Sequence, residues 1–107
     1  MTDSARDEDD AIEAERLQSL AELRTAERER GEKQPLEFRY GPESFGCHEA
    51  LHVANLVVNL IDRELREHPA ILQNADWYAH VRRAQDELWT LYQKIGAAHV
   101  EGTDPRH

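Results

Sequence analysis

The segment His48-Glu49-Ala50-Leu51-His52 holds the residues of this 107-residue chain that are best suited to chemistry. Two histidines four positions apart lie on the same side of a helix and can bind one Zn²⁺ through their imidazole nitrogens. A glutamate beside them can act as a general base on a metal-bound water. The spacing therefore offers one hypothesis, a zinc-dependent hydrolase with His48 and His52 as ligands and Glu49 as the base.

These five residues resemble the active-site helix of zinc metalloproteases. The metzincin form of that motif continues with a glycine and a third histidine, but this chain has Asn55 and Val58 at those positions. Glu64 and Glu67 follow on the same helix, about 18 Å or more farther along its axis at 1.5 Å per residue, so they cannot close the site. His99 is the best third ligand, because an antiparallel helix pair that turns near residue 71 returns it to the start of the first helix.

The same histidines belong to a polar stripe along the predicted helix. At 100° per residue the stripe covers about 80° of arc, nearly opposite the centre of the apolar arc. Such a row of donors and acceptors suits a specific contact with another protein. Histidine ordinarily changes charge between pH 5 and 8, so we expect such binding to depend on pH. The leading interpretation is a solvated or partner-facing stripe without metal, and a structural metal that bridges two chains is a further alternative. The stripe consists of His48, His52, Asn55, Asn59, Asp62 and Arg66.

Apolar residues recur at alternating spacings of four and three in two segments, about 44–67 and 75–100. This pattern is typical of amphipathic helices. Ser44 and Asn74 are suited to cap the two N-termini, and Pro69 disfavours helix in the residue before it. Because the connection is short, the two segments predict an all-α fold built on an antiparallel helical hairpin.

The first of these helices is apolar over a wider arc than one partner can cover. Val53, Leu56, Val57 and Leu60 extend the arc beyond the seam. Either an N-terminal helix completes a three-helix bundle, or two hairpins form a dimeric four-helix bundle, and the width of the arc favours a homodimer. The second helix adds an aromatic flank, which we expect at a protein interface. That flank consists of Tyr78, Trp89 and Tyr92.

Composition divides the chain into three parts. Residues 1–10 include five acidic side chains and predict a disordered acidic tail. Residues 11–34 predict a charged helix followed by a linker, and residues 35–107 predict the helical-hairpin core domain. Within the core domain, Leu36, Phe38 and Tyr40 alternate with polar residues, which predicts an extended arm.

The charge balance narrows the class of partner. The formal net charge is −9, with a pI near 5.0. Direct binders of nucleic acid and of anionic membranes normally carry a basic face, so both classes are disfavoured. No apolar run approaches the roughly 18 residues that cross a bilayer, and the N-terminus has no secretory signal pattern. A single cysteine fits a reducing compartment, so we expect a cytoplasmic protein.

The sequence therefore predicts a small acidic, all-helical protein-binding regulator without a cofactor. We expect it to sequester or inhibit a basic partner, such as a transcription factor or a nucleic-acid-binding enzyme, because complementary charge raises the association rate and the specificity. The alternative is the zinc-dependent hydrolase, with Zn²⁺ held by His48, His52 and His99 and with Glu49 as the catalytic base.

Overall fold

The computed structural model describes residues 3–103, and the prediction of an all-α fold is confirmed. No strand occurs in this range. None of the helices within it is both long and apolar enough to span a membrane. The chain forms two compact units, one up to Leu36 and one from Glu37 onward. The helices are α1 (Asp3–Arg30), α2 (Leu36–Tyr40), α3 (Phe45–Leu60), which continues into a π-helical turn (Ile61–Leu65), α4 (Pro69–Leu72) and α5 (Ala75–Thr103).

The first unit consists mainly of α1. This helix begins at Asp3, so residues 3–10 are helical where the composition predicts a disordered tail. Neither proline nor glycine interrupts α1, and carboxylates near a helix N-terminus interact favourably with the helix dipole. Farther along, the Arg16 guanidinium donates to both carboxylate oxygens of Glu13, at 2.8 and 2.6 Å. This hydrogen bond lowers the pKa of Glu13.

Gly31 ends α1 because its backbone adopts a left-handed conformation. Its φ is 76°, a left-handed conformation that other residues adopt only at a cost. The Gly31 N–H donates to the Arg28 carbonyl at 3.1 Å, and the Glu32 N–H donates to the Glu27 carbonyl at 3.0 Å. These two bonds form a Schellman motif, which satisfies carbonyls that the last helical turn leaves unpaired.

The prediction of an extended arm before residue 42 is wrong, because Leu36–Tyr40 forms the short helix α2. A lone strand would leave its backbone groups without partners, whereas here the Gly41 N–H donates to the Glu37 carbonyl at 2.9 Å. Gly46 in the first turn of α3 is buried beneath α2. A methyl group there would overlap the Tyr40 ring and the Arg39 carbonyl oxygen. The close approach of α2 to α3 therefore requires glycine.

Both predicted N-caps are confirmed by their hydrogen bonds. The Cys47 N–H donates to Ser44 Oγ at 3.0 Å at the start of α3, and the Trp77 N–H donates to Asn74 Oδ1 at 3.1 Å at the start of α5. His68 is extended, with φ −62° and ψ 131°, as the residue before a proline prefers. These local signals separate α3 from α5 and leave a short connection between them.

α3 and α5 pack antiparallel in the second unit. Asp62 of α3's π-helical continuation is hydrogen-bonded to Gln85 of α5. A second contact joins the rings of His48 and His99. His48 lies 14 positions before Asp62, and His99 lies 14 positions after Gln85. Moving back along α3 thus corresponds to moving forward along α5 by the same number of residues, which is the register of an antiparallel pair.

The layer between α3 and α5 buries little apolar surface. Ala54 and Val58 are the only hydrophobic residues classed as buried, among the side chains that the structure describes. Val53, Leu56 and Leu60 on the flank of α3 remain about half exposed. The flank that the sequence identifies is therefore not covered by α5.

Two glycine substitutions test the packing of α2 on α3. We expect Gly46→Ala to lower the free energy of unfolding by about 1–3 kcal/mol, because the new methyl group forces Tyr40 and the α2 backbone to shift. Gly96→Ala is the matched control, since its methyl group would meet only Leu51 Cδ1 at 3.5 Å. Gly96→Ala should raise the free energy of unfolding by about 1 kcal/mol, because alanine has a higher helix propensity than glycine. Urea unfolding followed by circular dichroism measures both values, and changes of the same sign would contradict the close approach.

Candidate partner-binding face

A hydrogen-bonded network joins the two helices on one side of the α3–α5 pair. Gln85 Nε2 donates to Asp62 Oδ1 at 3.1 Å, and Arg66 Nη1 donates to the same oxygen at 3.0 Å. Arg82 Nη1 in turn donates to Gln85 Oε1 at 3.2 Å. Gln85 is only 8% exposed, and its carboxamide is bonded at both ends. The network therefore fixes Asp62, a member of the predicted stripe, to the opposite helix.

Arg66 is hydrogen-bonded to Asp62 and lies close to Tyr78. Its pKa is raised first by a hydrogen bond with the Tyr78 hydroxyl and further by the charge of Asp62. Its backbone N–H donates to the Ile61 carbonyl at 2.9 Å, five residues back, which is the bond that defines the π-helical turn. Such turns often occur at functional sites, because one additional residue per turn redirects the side chains that follow. Here the turn lies beside the residues that connect the stripe to α5.

The aromatic flank lies on this same side. The rings of Trp89 and Tyr92 are stacked, with centroids 5.3 Å apart and an interplanar angle of 23°. Trp89 is 47% exposed, and Tyr78 lies close to Arg66. The register set by Asp62 and Gln85 places Asn55 level with Tyr92. The structure therefore places the stripe and the aromatic flank, which are separate in the sequence, on one side of the α3–α5 pair.

The remaining stripe residues form a more solvated edge. Asn59 Nδ2 lies 3.5 Å from Asn55 Oδ1, a long and weak hydrogen bond. His48, His52 and Asn59 are exposed. We name the whole set the polar side of the α3–α5 pair. It consists of His48, His52, Asn55, Asn59, Asp62, Arg66, Tyr78, Gln85, Trp89 and Tyr92.

His99 reaches the start of α3, as the sequence predicts, but it is bound to the backbone there. Its Nδ1 lies 2.7 Å from the Pro42 carbonyl oxygen. A carbonyl only accepts hydrogen bonds, so Nδ1 carries the hydrogen and donates it. The His99 ring is 5.5 Å from the His48 ring, centroid to centroid. His99 therefore anchors the turn before α3 to α5.

The proposed zinc ligands do not converge. Within residues 3–103, the side chains described include no group of three His, Cys, Asp or Glu residues placed to hold a metal ion. His48 and His99 are adjacent, but His52 does not complete a three-ligand group with them. Glu49, the proposed base, is exposed and lines an open groove beside α2. The alternative of a hydrolase thus lacks an assembled ligand set in the part of the chain described here.

Gln85 and Arg82 are members of the network that the sequence reading missed. A signal for Gln85 exists, because it lies four residues after Val81 and three before Leu88, at the spacing of the apolar seam. A polar residue at such a position must find a buried hydrogen-bond partner. Its partner, Asp62, is 23 positions away in the sequence, so only the register of the pair identifies it.

The polar side combines a hydrogen-bonded centre with a solvated edge. Its central side chains are already hydrogen-bonded to one another, and its outer side chains face solvent. No family model, curated protein or solved structure matches the chain. What this surface binds must be inferred from its own residues and from the charge of the chain.

A double-mutant cycle tests the bond across the helix pair. We expect Asp62→Ala and Gln85→Ala to show a coupling energy of about 1–2 kcal/mol in urea unfolding, because each removes the other's partner. The matched cycle uses Asp62→Ala with Gln93→Ala, an exposed glutamine on the same helix. Its coupling should lie within about 0.5 kcal/mol of zero. Equal coupling in both cycles would show that Gln85 does not fix the register.

Metal content tests the histidine motif directly. We expect protein purified without a metal-binding tag, and then mixed with zinc, to lose that zinc on gel filtration, because fewer than three ligands converge. His48→Ala and His52→Ala are the comparison variants. One zinc per chain that both variants lose would revive the hydrolase hypothesis. Half a zinc per chain would indicate a site shared by two chains.

Proposed function

We propose that this chain is a small acidic protein-binding regulator that sequesters or inhibits a basic protein partner, such as a transcription factor or a nucleic-acid-binding enzyme. The observation that carries the proposal is the polar side of the α3–α5 pair. There Arg66, Tyr78 and Trp89 lie on one surface, and arginine, tyrosine and tryptophan are the residues that most often dominate the binding energy of protein interfaces.

The polar side is arranged before any partner arrives. Gln85 is hydrogen-bonded to Asp62, Asp62 is hydrogen-bonded to Arg66, and Tyr92 stacks on Trp89. Ordering a flexible side chain on binding costs about 0.5–1.5 kcal/mol, so side chains that are already fixed avoid much of that cost. Prearrangement of this kind favours a specific protein contact over a solvated surface without a function.

Charge supports a basic partner. Residues 3–15 of α1 contain seven acidic side chains and one basic side chain, and the described side chains among them are exposed. Carboxylates displayed at this density along a helix attract a positive surface and raise its association rate. Proteins that bind nucleic acid carry such positive surfaces because they contact phosphates. Competition with nucleic acid for that surface is therefore the mode of inhibition that we propose.

The test begins with capture of a partner and ends with a competition measurement. A protein captured on the immobilised chain is purified, and its binding to labelled nucleic acid is measured by fluorescence anisotropy with increasing amounts of the chain. We expect the chain to displace the nucleic acid. Trp89→Ala should weaken the affinity for the partner at least tenfold, because an exposed aromatic anchor is lost. Gln93→Ala, an exposed substitution on the same helix, should leave the affinity unchanged.

A second variant separates charge from contact. Conversion of Asp7, Glu8, Asp9 and Asp10 to their amides should slow association at low salt and reduce its salt dependence, with a smaller effect on dissociation. Capture of an acidic partner would contradict the proposal. So would an affinity for the partner that neither this variant nor Trp89→Ala reduces. So would a partner whose nucleic-acid binding is unaffected by the chain.

A further inference from the structure

The side of the α3–α5 pair opposite the polar side is apolar. On α3, Val53 and Leu60 lie about 160–180° around the helix from Asp62, which bonds to α5 on the polar side. On α5, Ala84 and Leu91 lie about 100–120° from Gln85. Val53, Leu60 and Leu91 are 51%, 51% and 45% exposed. Both helices therefore present apolar residues to the same face, which we name the apolar side.

The pair needs a second layer on this side. Among the described side chains, none that is large is fully buried, and Ala54 and Val58 are the buried apolar residues of the pair. Isolated helices are marginal in water, and helical domains become stable when an apolar face packs against another element. The apolar side is the surface on which such packing can occur.

The sequence of α5 fits a copy of itself. Trp77, Ala84, Leu91 and Ala98 recur every seven residues along the apolar side and alternate large with small. In an antiparallel contact between two α5 helices around a two-fold axis midway between Ala84 and Leu91, each Ala84 faces Leu91 of the second copy. In the same arrangement each Trp77 faces Ala98 of the second copy. Large side chains oppose small ones at all four positions, which is how well-packed helix interfaces avoid voids and overlap.

Other alignments lack this fit. A parallel contact would place Trp77 against Trp77 and Ala84 against Ala84, which combines overpacking with a cavity. The antiparallel axis also falls close to residue 89, the midpoint of α5 (Ala75–Thr103), so the two helices overlap along almost their whole length. Leu60 lies near the same level, because the Asp62–Gln85 bond places residue 60 opposite residue 87. The two-fold axis thus passes through the middle of α5 and level with the C-terminal end of α3.

The size of the apolar side suits a stable dimer. α5 has 29 residues and is about 43 Å long at 1.5 Å per residue. Two helices packed side by side are about 20 Å wide with their side chains. α3 and its π-helical continuation have 16 and 5 residues, so together they are only about 31 Å long. At about 10 Å per helix the footprint is therefore about 750 Å² per copy, close to the roughly 800 Å² that each partner contributes to a standard interface.

We propose that the apolar side binds a second copy of this chain, which forms a symmetric four-helix bundle with its α5 helices antiparallel. The polar side faces outward from this interface, so dimerisation and the binding of a basic partner use different residues. Each proposal can therefore fail without the other.

Sedimentation velocity and light scattering at micromolar concentration test the dimer. We expect the wild type to have twice the 12.4 kDa mass of the chain. Leu91→Lys should raise the dimer dissociation constant at least a hundredfold, because two lysines would enter the interface. Trp89→Lys is the matched control, since Trp89 has nearly the same exposure two positions away on the polar side, and it should remain dimeric. A monomeric wild type overturns the proposal and leaves the apolar side to the N-terminal helix of the same chain or to a different protein.

Cysteine cross-linking tests the alignment without disturbing the fold strongly. In a Cys47→Ala background, which removes the chain's own cysteine, one chain carries Ala84→Cys and another carries Leu91→Cys. Mixing and oxidation should give the disulfide-linked heterodimer, and neither chain should cross-link efficiently alone. Efficient cross-linking of the Ala84→Cys chain with itself would overturn the antiparallel arrangement.

Discussion

The apolar arc of α3 is wider than the surface that one neighbouring helix can cover, and the arrangement of the second unit follows from this mismatch. α5 covers the centre of the arc at Ala54 and Val58. Val53 and Leu60 remain about half exposed on one flank, while the other flank is polar and bonds to α5 through Asp62. The α3–α5 pair consequently has two unlike sides. The polar side fixes the two helices to each other through hydrogen bonds, and the apolar side leaves hydrophobic surface exposed.

The buried carboxamide of Gln85 fixes the register of the two helices, which their small apolar layer does not fix by itself. Two helices that bury only small side chains between them can slide by a turn at little cost, because hydrophobic contact has no direction. A hydrogen bond from a nearly buried amide to a carboxylate has direction and is costly to leave unmade. The Asp62–Gln85 bond therefore specifies the register, and that register places the His48–His99 and Asn55–Tyr92 levels opposite one another.

The sequence predicts features that depend on local chemistry. The caps at Ser44 and Asn74 and the extended residue before Pro69 were predictable because each involves groups within three residues of one another. α2 was missed because a period of two over five residues is also compatible with a helix, in which Leu36 and Tyr40 share a face. The helical start of α1 was missed because acidic composition suggests disorder even when every residue tolerates a helix.

The candidate site shows the same limit. The level of His99 beside His48 follows from helix lengths and a short connection, so it could be predicted. Which ring nitrogen is engaged depends on the Pro42 carbonyl, which no spacing rule reveals. Likewise, the sequence identifies the stripe and the aromatic flank separately. That they lie on the same side depends on the hydrogen bond between Gln85 and Asp62, which are 23 residues apart in the sequence.

The two proposals together imply a bivalent protein. In a two-fold dimer joined through the apolar sides, both polar sides face outward, so each dimer would present two equivalent binding surfaces. A partner that is itself a two-fold dimer, as many DNA-binding proteins are, could engage both surfaces at once. The second contact would then form at a high effective concentration, and overall avidity can exceed the affinity of one surface by 10²–10⁴-fold without any new contact. Dimerisation would thus give a marginal helix pair its missing layer and strengthen binding by its two polar sides.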